Sequence, residues 1–90
     1  MLISWDEHKA ESNLKKHGIS FVEAQTVLFA QNSVTMEDKS SSEDRFVTIA
    51  FSANLNLLIV VYAYRFEDEV RIISARKANK KEAKIYEKKL

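Results

Sequence analysis

Ninety residues, 46% hydrophobic and 30% charged with a net charge of +1, bound one domain over residues 1–90, with a core large enough to fold and little to spare. The chain has no cysteine, which excludes disulfides and thiolate metal sites and fits a reducing cytoplasm, and two histidines, His8 and His17, are too few for a dedicated metal centre. No apolar run is long enough for a membrane helix, and no basic start leads into an apolar stretch as in a secretory signal.

Met1 to Ser4 reads as a short strand, and Asp6 is a good N-cap for a helix running to about His17. Gly18, the only glycine, suits the left-handed position that ends that helix, where a side chain is penalised. Lys15, Lys16 and His17 then sit at the negative end of the helix dipole. Ala10, Leu14 and His17 share a stripe, so His17 is either a cation capping the helix or a core-facing group available as a base. Ser20 and Glu23 form a capping-box pattern opening a second helix with Phe21, Ala24, Val27 and Leu28 on its apolar side. The tight turn at Gly18 makes the two a helical hairpin, with Trp5 covering its base.

Gln31 to Met36 is expected to be a short strand, followed by a polar loop from Glu37 to Asp44 that contains the serine run Ser40 to Ser42. Arg45 to Ser52 alternates, with Phe46, Thr48, Ala50 and Ser52 on one face and Val47, Ile49 and Phe51 on the other. After a turn at residues 53–56, Leu57 to Arg65 is almost wholly apolar and reads as a central strand buried on both faces. Phe66 to Glu69 turns the chain into a last strand, Val70 to Lys77. Asn79 with Glu82 caps a C-terminal helix whose expected buried stripe is Ala83, Tyr86 and Leu90. The element order is that of an α+β domain: an antiparallel meander, an N-terminal helical hairpin and a C-terminal helix.

Charge is divided along the chain. Residues 70–90 carry eight basic against two acidic side chains, a net +6, and the first 69 carry six against eleven, a net −5. A polyanion-binding face on an acidic body has this asymmetry, and so does a solvated lysine face on an amphipathic helix. Arg71 and Arg76 either reach toward such a polyanion or pair with carboxylates such as Glu67 or Glu69. Strict alternation places them on opposite faces, and the face of Arg65 depends on hairpin register.

Several blocks together resemble the BrnT family of bacterial toxins: Trp5-Asp6-Glu7-His8-Lys9-Ala10, Asn13 through Phe21, Arg45-Phe46, Leu57 through Tyr62, and Arg71 through Ala78. They stand in family order and cover nearly the whole chain. The chain departs from the family at Arg65-Phe66-Glu67-Asp68-Glu69, where many members carry an Arg-Gly turn. The resemblance implies a fold related to RelE-type ribonucleases and a cytoplasmic type II toxin that cleaves RNA and halts translation. It also implies an antitoxin partner with a ribbon-helix-helix domain, and operator DNA reached only through that antitoxin. A metal-free ribonuclease of this kind uses the 2′-hydroxyl of its substrate as nucleophile, and no cofactor is expected. Arg65, Arg71 and Arg76 are the candidates for stabilising phosphate charge, with His17, Tyr64 and Glu67 as candidates for proton transfer. Lys77, Lys80, Lys81 and Lys84 are candidates for guiding RNA or a partner. The alternative is a non-catalytic binding module that pairs with a DNA-binding antitoxin as co-repressor.

Overall fold

A computed structural model describes residues 1–39, 43–66 and 68–90; the serine run at 40–42 and Glu67 lie outside the described residues. In chain order the elements are β1 (Leu2–Ser4), α1 (Glu7–His17), α2 (Phe21–Val27), β2 (Val34–Asp38), β3 (Arg45–Phe51), β4 (Leu57–Arg65), β5 (Glu69–Lys77) and α3 (Lys80–Lys89).

Local chemistry sets the helix boundaries. The Asp6 carboxylate accepts from the Lys9 N–H to start α1, and Gly18 ends it at φ 73°, its own N–H donating to the Leu14 carbonyl. Ser20 accepts from the Glu23 N–H to start α2. The return bond of the expected capping box is not made. Glu23 instead accepts from Ser52 Oγ at 2.6 Å and Asn56 Nδ2 at 2.8 Å, tying the β3–β4 turn to α2. At α3 the box is complete: Asn79 accepts from the Glu82 N–H and Glu82 accepts from the Asn79 N–H.

The five strands form one sheet in the order β1-β5-β4-β3-β2. β2 through β5 pair antiparallel with their sequence neighbours, and β1 joins the far edge parallel to β5. The strand expected at 31–36 starts later and runs Val34–Asp38. One face carries Leu58, Val60, Tyr62, Val70, Ile72 and Ala75, buried beneath Ile19, Phe21, Ala24 and Val27 from the α1–α2 side. Trp5 packs edge-on against Phe21, with ring centroids 6.0 Å apart, closing the base of this core as expected. A hydroxyl chain, Thr35 to Thr48 to Tyr62, satisfies the polar groups at the far end of that face.

Two expected stripes are corrected. In α1 the side turned to the sheet belongs to Asn13, which is 6% exposed, while Leu14 is 51% exposed. Asn13 Nδ2 donates to the Ile19 and Ala75 carbonyls and its Oδ1 accepts from the Ala75 N–H. Those two bonds to Ala75 imitate a neighbouring strand where β1, three residues long, no longer borders β5. In α3 Tyr86 is buried, but Leu90 is exposed.

α3 lies over the second face of the sheet. Tyr86 packs there with Ile49 and Ile59 and meets Phe51 edge-on, and the Tyr86 hydroxyl donates to the Asn32 carbonyl. Among the described residues no helix is long and apolar enough to cross a membrane.

Candidate functional site

The β4–β5 pairing decides where the arginines go. Val61 faces Ser74 and Tyr62 faces Ile72, so Ile73 is an extra residue on β5, a β-bulge. The bulge shifts the alternation by one. Residues 70, 72 and 75 then point to the helix-covered core, and Arg71, Ser74 and Arg76 point to the opposite face. The expectation that Arg71 and Arg76 lie on opposite faces is therefore corrected: one inserted residue puts both on the side that α3 partly covers. Arg65 faces Glu69 across the ladder and joins the same side.

Pairing register gives this surface two rows. Ser4, Arg71, Ala63 and Arg45 stand side by side on β1, β5, β4 and β3. The neighbouring row holds Leu2, Glu69 and Arg65. Ala63 is buried and small, so the backbones of Arg71 and Arg45 flank a low point at two strand spacings, roughly 10 Å apart.

The four arginines of this face are in different electrostatic states. Arg76 makes a bidentate pair with Glu82, at 2.8 and 2.7 Å, which raises its pKa and lowers that of Glu82. Arg65 Nη1 is 3.9 Å from Glu69 Oε2, and its guanidinium also lies 5.7 Å from the Phe66 ring. Glu69 Oε2 in turn accepts from Ser4 Oγ at 2.9 Å. Arg45 Nε is 3.9 Å from Glu43, beside a hollow lined by Glu37, Asp38, Lys39, Glu43 and Asp44. Arg71 is half-buried between Ser4 and Ala63, and among the described residues it has no hydrogen bond or ion pair. The Asp6 carboxyl is held below the ordinary value by the Lys9 N–H first, then by His8, with the field of Arg71 the smallest contribution.

His17 and Tyr64 are not brought to this face. Asn13, one turn before His17, is bonded to Ala75, whereas Tyr64 faces Val70, roughly 15 Å back along β5. Tyr64 is on the core side of the sheet, edge-on to Phe46 at 5.3 Å. Lys77 ends β5, and Lys80, Lys81 and Lys84 are exposed on α3. Two residues of the face take places that the sequence did not assign, Glu69 having been legible only as a partner for Arg71 or Arg76. Arg45 needed the β3–β4 register, and Glu69 needed the bond to Ser4 on a strand distant in sequence. Among the described residues no cluster of His, Cys, Asp and Glu is placed to hold a metal ion.

A family model described as the BrnT ribonuclease toxin of type II toxin–antitoxin systems matches residues 5–82. The chain belongs to the BrnT family. It is also similar in fold to the crystal structure of the Brucella abortus BrnT ribonuclease toxin, with a TM-score of 0.68 and 24% identity over 89% of this chain and 99% of that one. No curated protein matches. The BrnT match runs from the residue after β1 to the start of α3, so the bulged strand and its arginines lie wholly within it.

Proposed function

We propose that this BrnT chain is a single-domain, metal-independent endoribonuclease acting in the cytoplasm, which cleaves RNA, halts translation and is neutralised by a ribbon-helix-helix antitoxin. Its relationship to RelE-type ribonucleases belongs to the same proposal. The observation that carries the site is Arg71: a half-buried guanidinium that makes no hydrogen bond or ion pair among the described residues, on the same face as Arg65 and next to a buried alanine. An anionic ligand supplies the two-point partner that the described residues do not give this guanidinium.

In the proposed reaction the 2′-hydroxyl oxygen attacks the adjacent phosphorus while the bond to the 5′-oxygen breaks. The products are a 2′,3′-cyclic phosphate and a 5′-hydroxyl, so one proton leaves the nucleophile and one reaches the leaving group. Arg71 supplies a planar two-point fork for the phosphate oxygens, and Arg65 adds charge from the next row. Glu69, between them on the same face, takes the role of proton acceptor in place of His17 and Tyr64. Arg76 is assigned to holding α3, since both its terminal nitrogens are occupied by Glu82. Lys77, Lys80, Lys81 and Lys84 guide the RNA backbone or the partner.

Inducible expression without the antitoxin, following growth and RNA integrity together, tests this reading. RNA fragmentation with growth arrest is expected from the natural sequence and neither from Arg71→Ala. If the natural sequence fragments no RNA, the ribonuclease reading fails and a non-catalytic antitoxin-binding module takes its place.

A further inference from the structure

α3 does not seal the face it crosses. Between it and the sheet runs a groove of about 330 Å³, lined by Met36, Val47, Ile49, Ile59, Val61 and Ile85, with Ser74 and the Arg76–Glu82 pair along one side. Met36 and Ile85, at its mouth, are each 37% exposed. The groove follows the β4–β5 ladder: the Ile59–Arg76 row leads to the Val61–Ser74 row and then to Ala63 and Arg71. Ile85 has Lys81 and Lys89 one turn away on the same helix face, and Lys88 three residues on, so the helix rim is basic.

We propose that this groove seats apolar side chains of a segment of the antitoxin, with acidic residues flanking them against the α3 lysines, so that the continuing chain lies over Arg71. The proposal rests on the toxin–antitoxin reading and names the surface that this partner uses. Charge decides between this groove and a second apolar hollow among the described residues. The other, of about 270 Å³ under Trp5, Leu14, Phe21 and Val22, is bordered by Glu7 and Glu11 and lies on the α1–α2 side, away from Arg71. Of these two hollows, the α3 groove is the one that offers complementary charge to a partner that neutralises the C-terminal +6. Inhibition then follows from geometry. The occupant need not touch a reacting group, because a chain leaving the groove along the ladder covers the phosphate position.

The test uses the purified toxin with its cognate antitoxin. Met36→Glu and Ile85→Glu place a carboxylate at the mouth, on residues outside the RNA site, and melting curves check that each variant folds. Both are expected to cut RNA at the rate of the natural sequence, bind antitoxin at least tenfold more weakly and escape neutralisation. Val22→Glu, in the other hollow, is expected to bind and be neutralised normally. Hydrogen exchange on the natural complex gives a second readout free of substitutions, with protection expected in β4, β5 and α3. The proposal is overturned if the groove variants bind antitoxin normally, or if Val22→Glu alone weakens binding. It is also overturned if the free toxin dimerises through the groove and antitoxin leaves that dimer intact. A natural sequence that cuts no RNA, while Met36→Glu still weakens antitoxin binding, removes the ribonuclease reading and leaves the docking surface standing. A natural sequence that binds no antitoxin removes both the partner and the proposal.

Discussion

Asn13→Ala removes three hydrogen bonds at once: to the Ile19 carbonyl at 2.9 Å, to the Ala75 carbonyl at 2.8 Å, and from the Ala75 N–H at 3.1 Å. All three are buried, and the side chain is 6% exposed, so little solvent is at hand to replace it. At about 1 kcal/mol net for each bond the loss is about 3 kcal/mol, and more where a group stays unsatisfied. In a domain of this size that corresponds to a fall in Tm of roughly 12–24 °C. Urea unfolding followed by circular dichroism measures it, with an unchanged m-value showing that stability alone has moved. Asn13→Asp adds a signature that a packing defect lacks. An ionised carboxylate still accepts from Ala75 but faces two carbonyls that need a donor, so its folded pKa is raised. Its deficit is greatest above that raised value, shrinks as pH falls from there to the ordinary aspartate value and is constant below it, because the protonated acid donates again. A cost under about 0.5 kcal/mol for Asn13→Ala would place the substitution among those that disturb no buried network, and would refute the view that α1 completes the edge of β5.

Gly18→Val is expected to destabilise by about 1 kcal/mol or more through backbone strain alone, since φ is 73° and a Cβ there meets nothing within 4 Å; equal melting temperatures would contradict it. Glu23 is held below its ordinary pKa by Asn56 and Ser52, and Glu82 by Arg76. Depressed folded values mean stabilisation present above the unfolded value, near 4.5, and lost as pH falls through the folded ones. The stability gap between the natural sequence and Glu82→Gln should therefore be open at neutral pH and narrow in acid, and a gap independent of pH in urea titrations would contradict the pairing with Arg76.

The parts of the fold legible in the sequence are those fixed by neighbours in the chain. Asp6, Ser20 and Asn79 act on N–H groups three residues away, and Gly18 answers a single backbone angle, so each could be read without knowing the tertiary structure. The alternation of β3 and the apolar run of β4 likewise gave their places in the sheet. The bulge at Ile73 could not be read. In Ile72-Ile73-Ser74-Ala75 either register offers an apolar residue to each face, and the choice is made by pairing with β4. That one shift put Arg71 and Arg76 on the same face. Asn13 and Glu23 were hidden for a related reason: their partners, Ala75, Ser52 and Asn56, are 29 to 62 residues away in sequence. Glu82 was read as a cap and is one, but the same carboxylate also engages Arg76, which sequence reasoning had assigned to the phosphate.

The central claim is that Arg71 is a phosphate ligand and Arg76 a structural one, and cleavage of a defined RNA by purified, antitoxin-free toxin tests it most directly. Arg71→Ala and Arg71→Lys are each expected to lower kcat by roughly 10²–10³ with melting unchanged, because lysine keeps the charge and loses the fork. Arg76→Ala is expected to lower the melting temperature and alter the rate far less at a temperature where it is folded. If Arg71→Lys cut at nearly the natural rate, Arg71 would contribute only general positive charge. Normal cleavage by Arg71→Ala, together with loss of cleavage in folded Arg76→Ala, would contradict the account and move the site along β5 to the edge of α3.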